Sequence, residues 1–547
     1  MLARALGGSS LWAWAAIGIA AVVAVPIAAV LSSLAAPSGD VWRHLWRTQL
    51  LELIGNTLLL LLGVGVGTLL VGGGLAWLVV FHRFPGRSVL EWALILPLAV
   101  PAYVIGFALL GLFEYAGPIQ GALRGALGTG ARLPDLRSYG GVVVTMTLVF
   151  YPYVYLLARV AFREQGTAAV EIARTLGRSR GAAFLAVTVP MARPALAAGV
   201  ALAMMEALAD FGTVATFGYR TLTEAIYRVW YGMFDRIAAT QLASVLLLFA
   251  LGLLLLEYRS RGRARFIQRG RPSRALEAAR LRGLRAVAAT MVCLGVLGPA
   301  FFLPVGQLAW WAVAAVRGGR VAPDFLALLT HTGLLAAAAA GLACALAVLL
   351  AYAGRLHGTT AVRLAARLAS MGYALPGAVI AVGVLLPLAW ADHALVPPLE
   401  RALDRPLGLL LTGSAVGLIL AYVVRFLAVG LQTVEASLGR IPPSLDDSAR
   451  TLGARAGVAL RRVHLPLIRG GLLTALVLVF VDTIKELSAT ILLRPFGFNT
   501  LATFVYENAS RGVPEEGAAA AILIILTALS PVVLLSGALM RDREASM

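Results

Sequence analysis

ARTLGRSRGAAFLAVTVPMARPAL, residues 173–196, and ARTLGARAGVALRRVHLPLIRGGL, residues 449–472, are one segment written twice. The offset is 276 residues with no gap, and 11 of the 24 positions are identical. The matches take in the whole ARTLG run, then Gly181 with Gly457, Pro190 with Pro466, and Arg193 with Arg469. A chain that repeats itself at a fixed spacing is built from copies of one unit. Apolar sequence surrounds both copies, so the repeat decides how the apolar runs group.

The chain has 547 residues, 60% apolar and 13% charged, with a mean hydropathy of +0.86. A soluble domain carries about a quarter charged residues. A polytopic membrane protein is expected. A hydrocarbon core about 30 Å thick takes roughly 20 apolar residues per helix. Twelve such runs lie near 11–31, 55–80, 89–113, 140–158, 194–215, 241–257, 287–314, 326–353, 369–390, 407–431, 471–493 and 517–540. The first is too long for a signal-peptide core and is kept as a span. Each copy of the repeat falls between the fourth and fifth runs of its half. Six runs per half is an even number, so the halves share one orientation, as parallel repeats. The expected fold class is an all-α polytopic membrane protein: twelve transmembrane helices as two parallel six-helix repeats. The repeats are residues 1–257 and 287–547, joined by an arginine-rich linker, 258–286.

The formal net charge is +19, and ten of the 46 basic residues lie in that linker. With the N-terminus placed in the cytoplasm, most of the basic residues fall in the segments on that side of the membrane. Cytoplasmic connections of membrane proteins carry this excess. Both termini, the linker and both repeated loops are therefore expected in the cytoplasm. Charge spread over every inner connection speaks against nucleic acid as a partner.

Lys485 is the only lysine, between Ile484 and Glu486, so no P-loop ending in GK[ST] exists. Cys293 and Cys344 sit in apolar runs and make neither a disulfide framework nor a CxxC site. Six histidines, His44, His82, His331, His357, His393 and His464, include no i, i+4 pair. No Ser/His/Asp constellation stands out. No catalytic residue and no bound cofactor is expected. Gly73 and Gly74 in the second run read as close helix packing. Tyr151, Tyr153 and Tyr155 read as interface anchors.

Each repeated loop is expected to open with a short helix. Ser444 can cap the second copy, with Asp446 and Asp447 in its first turn; Thr167 and Glu171 are the weaker first-copy version. Gly177 and Gly453 stand where a left-handed C-cap residue belongs. Gly181 and Gly457 allow a second close turn. An amphipathic stretch ends at Pro190 or Pro466, and a span follows.

This pattern resembles the "EAA" loop of permease subunits from binding-protein-dependent ABC importers. The matching residues are Glu171, Ala173, Gly177, Gly181 and Pro190 in a loop near 165–193. In a loop near 441–469 they are Asp447, Ala449, Gly453, Gly457 and Pro466. Ile172 and Ser448 stand where the family has its first alanine. The resemblance implies two coupling helices, each docking on one copy of a separate ATPase subunit that binds the ATP and Mg. Further stretches, EALADFGTVATFGYRTLTEAIYRVWYGM (206–233), FVDTIKELSATILLRPFGFNTLATFVYENAS (480–510), LPLAVPAYVIGFALLG (96–111) and YALPGAVIAVGVLL (373–386), resemble the fused-repeat ferric iron permeases. That family implies a multi-pass bacterial inner-membrane protein. Ferric iron would arrive from a periplasmic binding protein and pass by alternating access. Thiamine, phosphonate and sulfate permeases share much of the scaffold, and a twelve-span secondary transporter is the rival from another class.

The 276 offset also aligns Glu206 with Asp482 and Asp210 with Glu486. Spacing of i, i+4 puts both carboxylates of a pair on one helix face. Charges inside a span are costly and face a bundle interior or a wet path. These four either line the path of a cationic substrate, as transient hard-oxygen ligands suited to Fe³⁺, or sit at the outer rim as salt bridges or docking contacts. Lys485 and Arg494 are near enough to neutralise part of the charge. Tyr103, two residues after Pro101, is a pathway candidate because it aligns near the Pro376 break.

Overall fold

The structure is a computed structural model and describes residues 11–37, 39–128, 130–164, 175, 177, 179, 182, 184–260, 278–320 and 322–544, with side chains as far as 530. Eleven helices among them are long and apolar enough to cross a membrane. They are Leu11–Ala35, Leu50–Phe81, Ala102–Leu127, Tyr139–Arg163, Phe184–Ala209, Arg236–Glu257, Leu284–Arg317, Phe325–Leu356, Gly377–Leu403, Ala415–Leu438 and Ala456–Ile484. The twelfth expected run lies on Pro514–Glu544, helical over 31 residues. Helix is what such sequence must adopt in lipid, where each backbone N–H and C=O has to be satisfied within its own segment.

The third and ninth runs are not continuous helices. Arg87–Ala93 is followed by a 3₁₀ turn, Leu96–Ala99, and only then by Ala102–Phe113. Thr360–Ser370 is followed by Met371–Ala374 and then Gly377–Leu403. Pro101 (φ −58°, ψ 142°) and Pro376 (φ −58°, ψ 139°) immediately precede the second helix of each set. They start helices rather than interrupt them, because a residue there needs no N–H partner. The fifth and eleventh spans begin earlier than expected. A π turn, Phe184–Thr188 or Leu460–His464, runs straight into Val189–Ala209 or Leu465–Ile484, so Pro190 and Pro466 lie inside continuous helical runs.

The chain forms two compact units, and neither is a contiguous half. One comprises Met1–Leu45, Ile226–Leu247 and Ala322–Phe504. In it the first span packs on Thr360–Ser370 and Gly377–Leu403, with Trp12 edge-on to Tyr352 at 5.2 Å and Gly383 against the Pro26 backbone. Ser244 Oγ donates to Val30 O at 2.7 Å.

The other unit comprises Trp46–Ala225, Leu248–Val321 and Val505–Met547. Its centre is the second span packed on the fourth. The close-approach glycines are Gly63, Gly67 and Gly72, which face Tyr139 and Val143, Thr147, and the Tyr151 backbone. A Cβ on Gly72 would lie 2.6 Å from Tyr151 O. Gly73 and Gly74, read as close helix packing, do not face the fourth span: a Cβ on Gly73 would meet Leu196 of the fifth span at 3.8 Å, and one on Gly74 would meet nothing within 4 Å. Helical rotation of about 100° per residue turns them away from the fourth span.

Tyr151 and Tyr155 are fully buried here and donate to Leu94 O at 2.9 Å and Glu91 O at 2.8 Å. They are internal braces rather than interface anchors, since the i, i+4 pair faces the carbonyls freed by the break before Pro101.

Candidate coupling loops and the breaks after the fifth and eleventh spans

The second loop helix is Ser444–Thr451, with Asp446 and Asp447 in its first turn. Ser444 does not cap it. Pro443 is the N-cap residue and no side chain caps the helix; two consecutive prolines fix the entry instead. The helix ends as its sequence requires. Gly453 has φ +77°, its N–H bonds Arg450 O at 2.9 Å, and the Ala454 N–H reaches back to Ala449 O at 2.9 Å. Those two bonds are a Schellman closure, which needs a residue at positive φ. Gly177 holds the same conformation, φ +84°. Glu171, Ala173, Gly181 and Thr167 lie outside the described residues.

Sequence reading missed how the second loop helix is held. Arg355, in the last turn of Phe325–Leu356, reaches Asp446 Oδ2 at 2.7 Å and donates to Leu438 O at 2.7 Å and Ile441 O at 2.9 Å. His464 is fully buried on the other side of Asp446, with Nε2 2.8 Å from Oδ1. Its Nδ1 lies 3.0 Å from Ala459 O. Burial pushes the Asp446 carboxyl up, but the Arg355 hydrogen bonds and charge, with His464, outweigh it and hold the group below the usual carboxylate range.

The end of the fourth span is locked by other residues. Glu91, nearly fully buried, accepts from Arg159 Nε at 3.0 Å and is paired with both Arg159 and Arg163. The Arg159 guanidinium lies 4.8 Å from the Trp92 ring. An acid in an otherwise apolar run (VLEWALIL) with two arginines four apart was the available signal.

The acidic pairs do not share a helix face. The fifth span ends at Ala209 and the eleventh at Ile484, so the later carboxylate of each pair lies past the helix end. Asp210 accepts from Thr213 N–H at 2.6 Å and Thr213 Oγ1 at 2.9 Å, at the start of the short helix Gly212–Thr216. Glu486 accepts from the Ala489 and Thr490 N–H groups at 3.0 and 3.1 Å, at the start of Ser488–Leu493. Each carboxylate satisfies orphan donors of a new helix.

Glu486 is also paired with Arg425 at 3.1 Å. Around it, Tyr422 Oη meets Thr490 Oγ1 at 2.7 Å, Tyr227 Oη donates to Ser488 O at 2.6 Å, and Tyr231 Oη to Ile491 O at 2.7 Å. Of the earlier pair members, Asp482 is bridged to Lys485 at 2.8 Å, and Glu206 sits in the last turn of its span. Arg494 bonds Asn499 Oδ1. Tyr103 is buried in the first turn of Ala102–Phe113, its ring 6.4 Å from Phe107. Among the described residues no three His, Cys, Asp or Glu side chains group closely enough to hold a metal ion.

A helical multi-pass chain, two loop glycines at positive φ and helix breaks at equivalent places in the two halves are the setting of the family match. The chain belongs to the family described as binding-protein-dependent transport system inner membrane component, which matches it twice, over residues 63–258 and 326–543. It is 25% identical over 500 residues to the Fe(3+)-transport system permease protein FbpB 2 of Haemophilus influenzae, covering 90% of each chain. It is 24% identical over 514 residues to the ferric transport system permease protein FbpB of Actinobacillus pleuropneumoniae, covering 89% of this chain and 71% of that one. The sulfate transport system permease protein CysT of Escherichia coli is 31% identical over 244 residues, 43% of this chain but 84% of its own. The double family match bears out the duplication read from residues 173–196 and 449–472. The fold is the expected all-α multi-pass permease of the inner membrane.

Proposed function

We propose that this chain is the permease subunit of an ATP-driven importer that takes ferric iron from a periplasmic binding protein and passes it to the cytoplasm by alternating access. Two observations support the reading. In both loop copies the glycine that ends the repeated ARTLG run is held at positive φ. The two ferric relatives align across 90% and 89% of this chain.

In this reading two copies of a separate ABC ATPase bind ATP and Mg, one per loop. Docking falls to Glu171, Ala173, Gly177, Gly181 and Pro190 on one loop and Asp447, Ala449, Gly453, Gly457 and Pro466 on the other. Both termini and both loops are cytoplasmic. The halves 1–257 and 287–547 are the duplicated permease repeats. Nucleotide closure of the ATPases biases the permease between its inward- and outward-facing states. This chain needs no covalent chemistry and no cofactor of its own. Glu206, Asp482 and Tyr103 are the pathway candidates, because Asp210 and Glu486 are engaged in capping.

Iron uptake under iron limitation, compared in cells with and without the gene, tests the reading. Uptake lost with the gene and restored by it is expected. Uptake that persists without any ATPase partner would point to a secondary transporter. The sulfate relative favours an oxyanion as the second substrate reading, checked by the same assay with labelled sulfate.

A further inference from the structure

In the unit built around the second span, an apolar groove of about 780 Å³ runs along Leu50–Phe81 and the start of Val189–Ala209. Leu69, Leu70, Gly73, Gly74 and Trp77 form one wall, and Leu196 with Ala197 part of the other. Gly74 leaves it open. Leu70 is 68% exposed, so nothing among the described residues covers this face of the groove. From Leu69 to Trp77 is eight residues, about 12 Å along a helix axis, close to the roughly 15 Å of one leaflet's hydrocarbon.

Arginines stand in and beside the groove. Arg193 lines it. The Trp77 ring is edge-on to His82 at 4.6 Å, and Arg83 follows His82 directly. The chain returning from the linker pairs there in parallel, with His82 opposite Ala279 and Arg83 opposite Arg280. Two like charges at directly opposed positions are unfavourable. Arg83, Arg193 and Arg280 are exposed and form no ion pair among the described residues. Positive-inside bias accounts for arginines in this region, but not for two held in register beside an open apolar groove.

We propose that this groove binds one acyl chain of an anionic phospholipid in the leaflet on the loop side, with Arg193 and the Arg83–Arg280 pair holding the phosphate. An apolar channel of one-leaflet length, with guanidinium groups in and beside it that form no ion pair among the described residues, matches an anionic lipid in shape and charge. A neutral lipid would leave the arginines without a counter-ion, and free phosphate would leave the groove empty. Each basic residue near an anionic lipid surface contributes about a fivefold gain in binding.

The test uses the full chain in nanodiscs of phosphatidylglycerol and phosphatidylcholine in equal parts, with retained lipid read by native mass spectrometry. Phosphatidylglycerol is expected to be retained preferentially. Arg193→Gln lowers its retention about fivefold, and Arg193→Lys largely restores it. The double variant Arg83→Gln/Arg280→Gln lowers retention further. Gly74→Leu, which fills the groove and leaves every arginine in place, also lowers retention without lowering the thermal midpoint. Equal retention of the two lipids would overturn the proposal. So would displacement by inorganic phosphate together with unchanged retention in Gly74→Leu, because the arginines would then be an anion site with no acyl chain.

Discussion

Arg355 and Asp446, 91 residues apart in the chain, meet at 2.7 Å, and the contact ties the second loop helix to the end of the eighth span. The same arginine also holds the Leu438 and Ile441 carbonyls. Motion of that span therefore reaches Ser444–Thr451 through this side chain. Both partners are about 15% exposed, so solvent weakens the pair less than at an open surface. Arg355→Ala is expected to cost about 1–3 kcal/mol locally. Hydrogen exchange of residues 444–454 would rise by one to two orders of magnitude, and coupled ATPase activity would fall. Unchanged exchange would remove Arg355 from this role.

The pH dependence of that contact has a definite sign. The Asp446 carboxyl titrates below its ordinary value in the folded protein. Its contribution is thus fully present above the unfolded value, about 3.9, and is lost as pH falls through the lower folded one. Loop protection should hold from neutrality down to about pH 5 and weaken only below the ordinary aspartate range. Asp446→Asn should show weak protection throughout. A loss of protection in the wild type above pH 5 would assign the transition to another group.

Gly453 and Gly177 hold positive φ. An L side chain there costs about 1–2 kcal/mol. Gly453→Val and Gly177→Val are expected to loosen the loop closures and lower transport-coupled ATPase activity while the spans stay folded. Coupling equal to the wild type in both variants would sink the coupling role of the loops.

Asp210 and Glu486 cap short helices, so their substitutions should read out as stability. Asp210→Asn keeps a good cap and should be close to neutral, whereas Asp210→Ala should lose about 1 kcal/mol. Glu486→Ala removes both the ion pair with Arg425 and the acceptor for the Ala489 and Thr490 N–H groups and should lose about 3–5 kcal/mol. The double variant Glu486→Ala/Arg425→Ala should lose less than the sum of the two single variants. Thermal unfolding of the purified chain checks the set. Normal stability combined with lost uptake in Asp210→Asn would place that carboxylate on the substrate path.

Glycines in the second span divide into two kinds. Gly72→Ala drives a methyl group into the Tyr151 backbone and should destabilise by about 1–3 kcal/mol. Gly74→Ala meets nothing and should be neutral or stabilising by up to about 1 kcal/mol. Thermal midpoints of the two variants give the comparison directly.

Much of this molecule was legible in the one-dimensional pattern, and for stated reasons. Lipid leaves an apolar run few conformations, so the spans follow from composition and length. A gap-free repeat exposes the duplication, and a glycine after a short polar helix marks a left-handed turn whatever packs around it. Tertiary structure decided the rest. Periodicity reported Gly73 and Gly74 as packing residues because it cannot say which face of a helix meets a neighbour. Spacing put Asp210 beside Glu206 and Glu486 beside Asp482 because it assumed a helix that in fact ends between them. The Arg355–Asp446–His464 contact joins three separate segments, and no local pattern encodes it. Nor does local pattern encode the packing of the first span against residues of the second repeat. Local backbone chemistry sets helices and turns within a few residues; which helices share a core depends on side-chain fit between segments hundreds of residues apart.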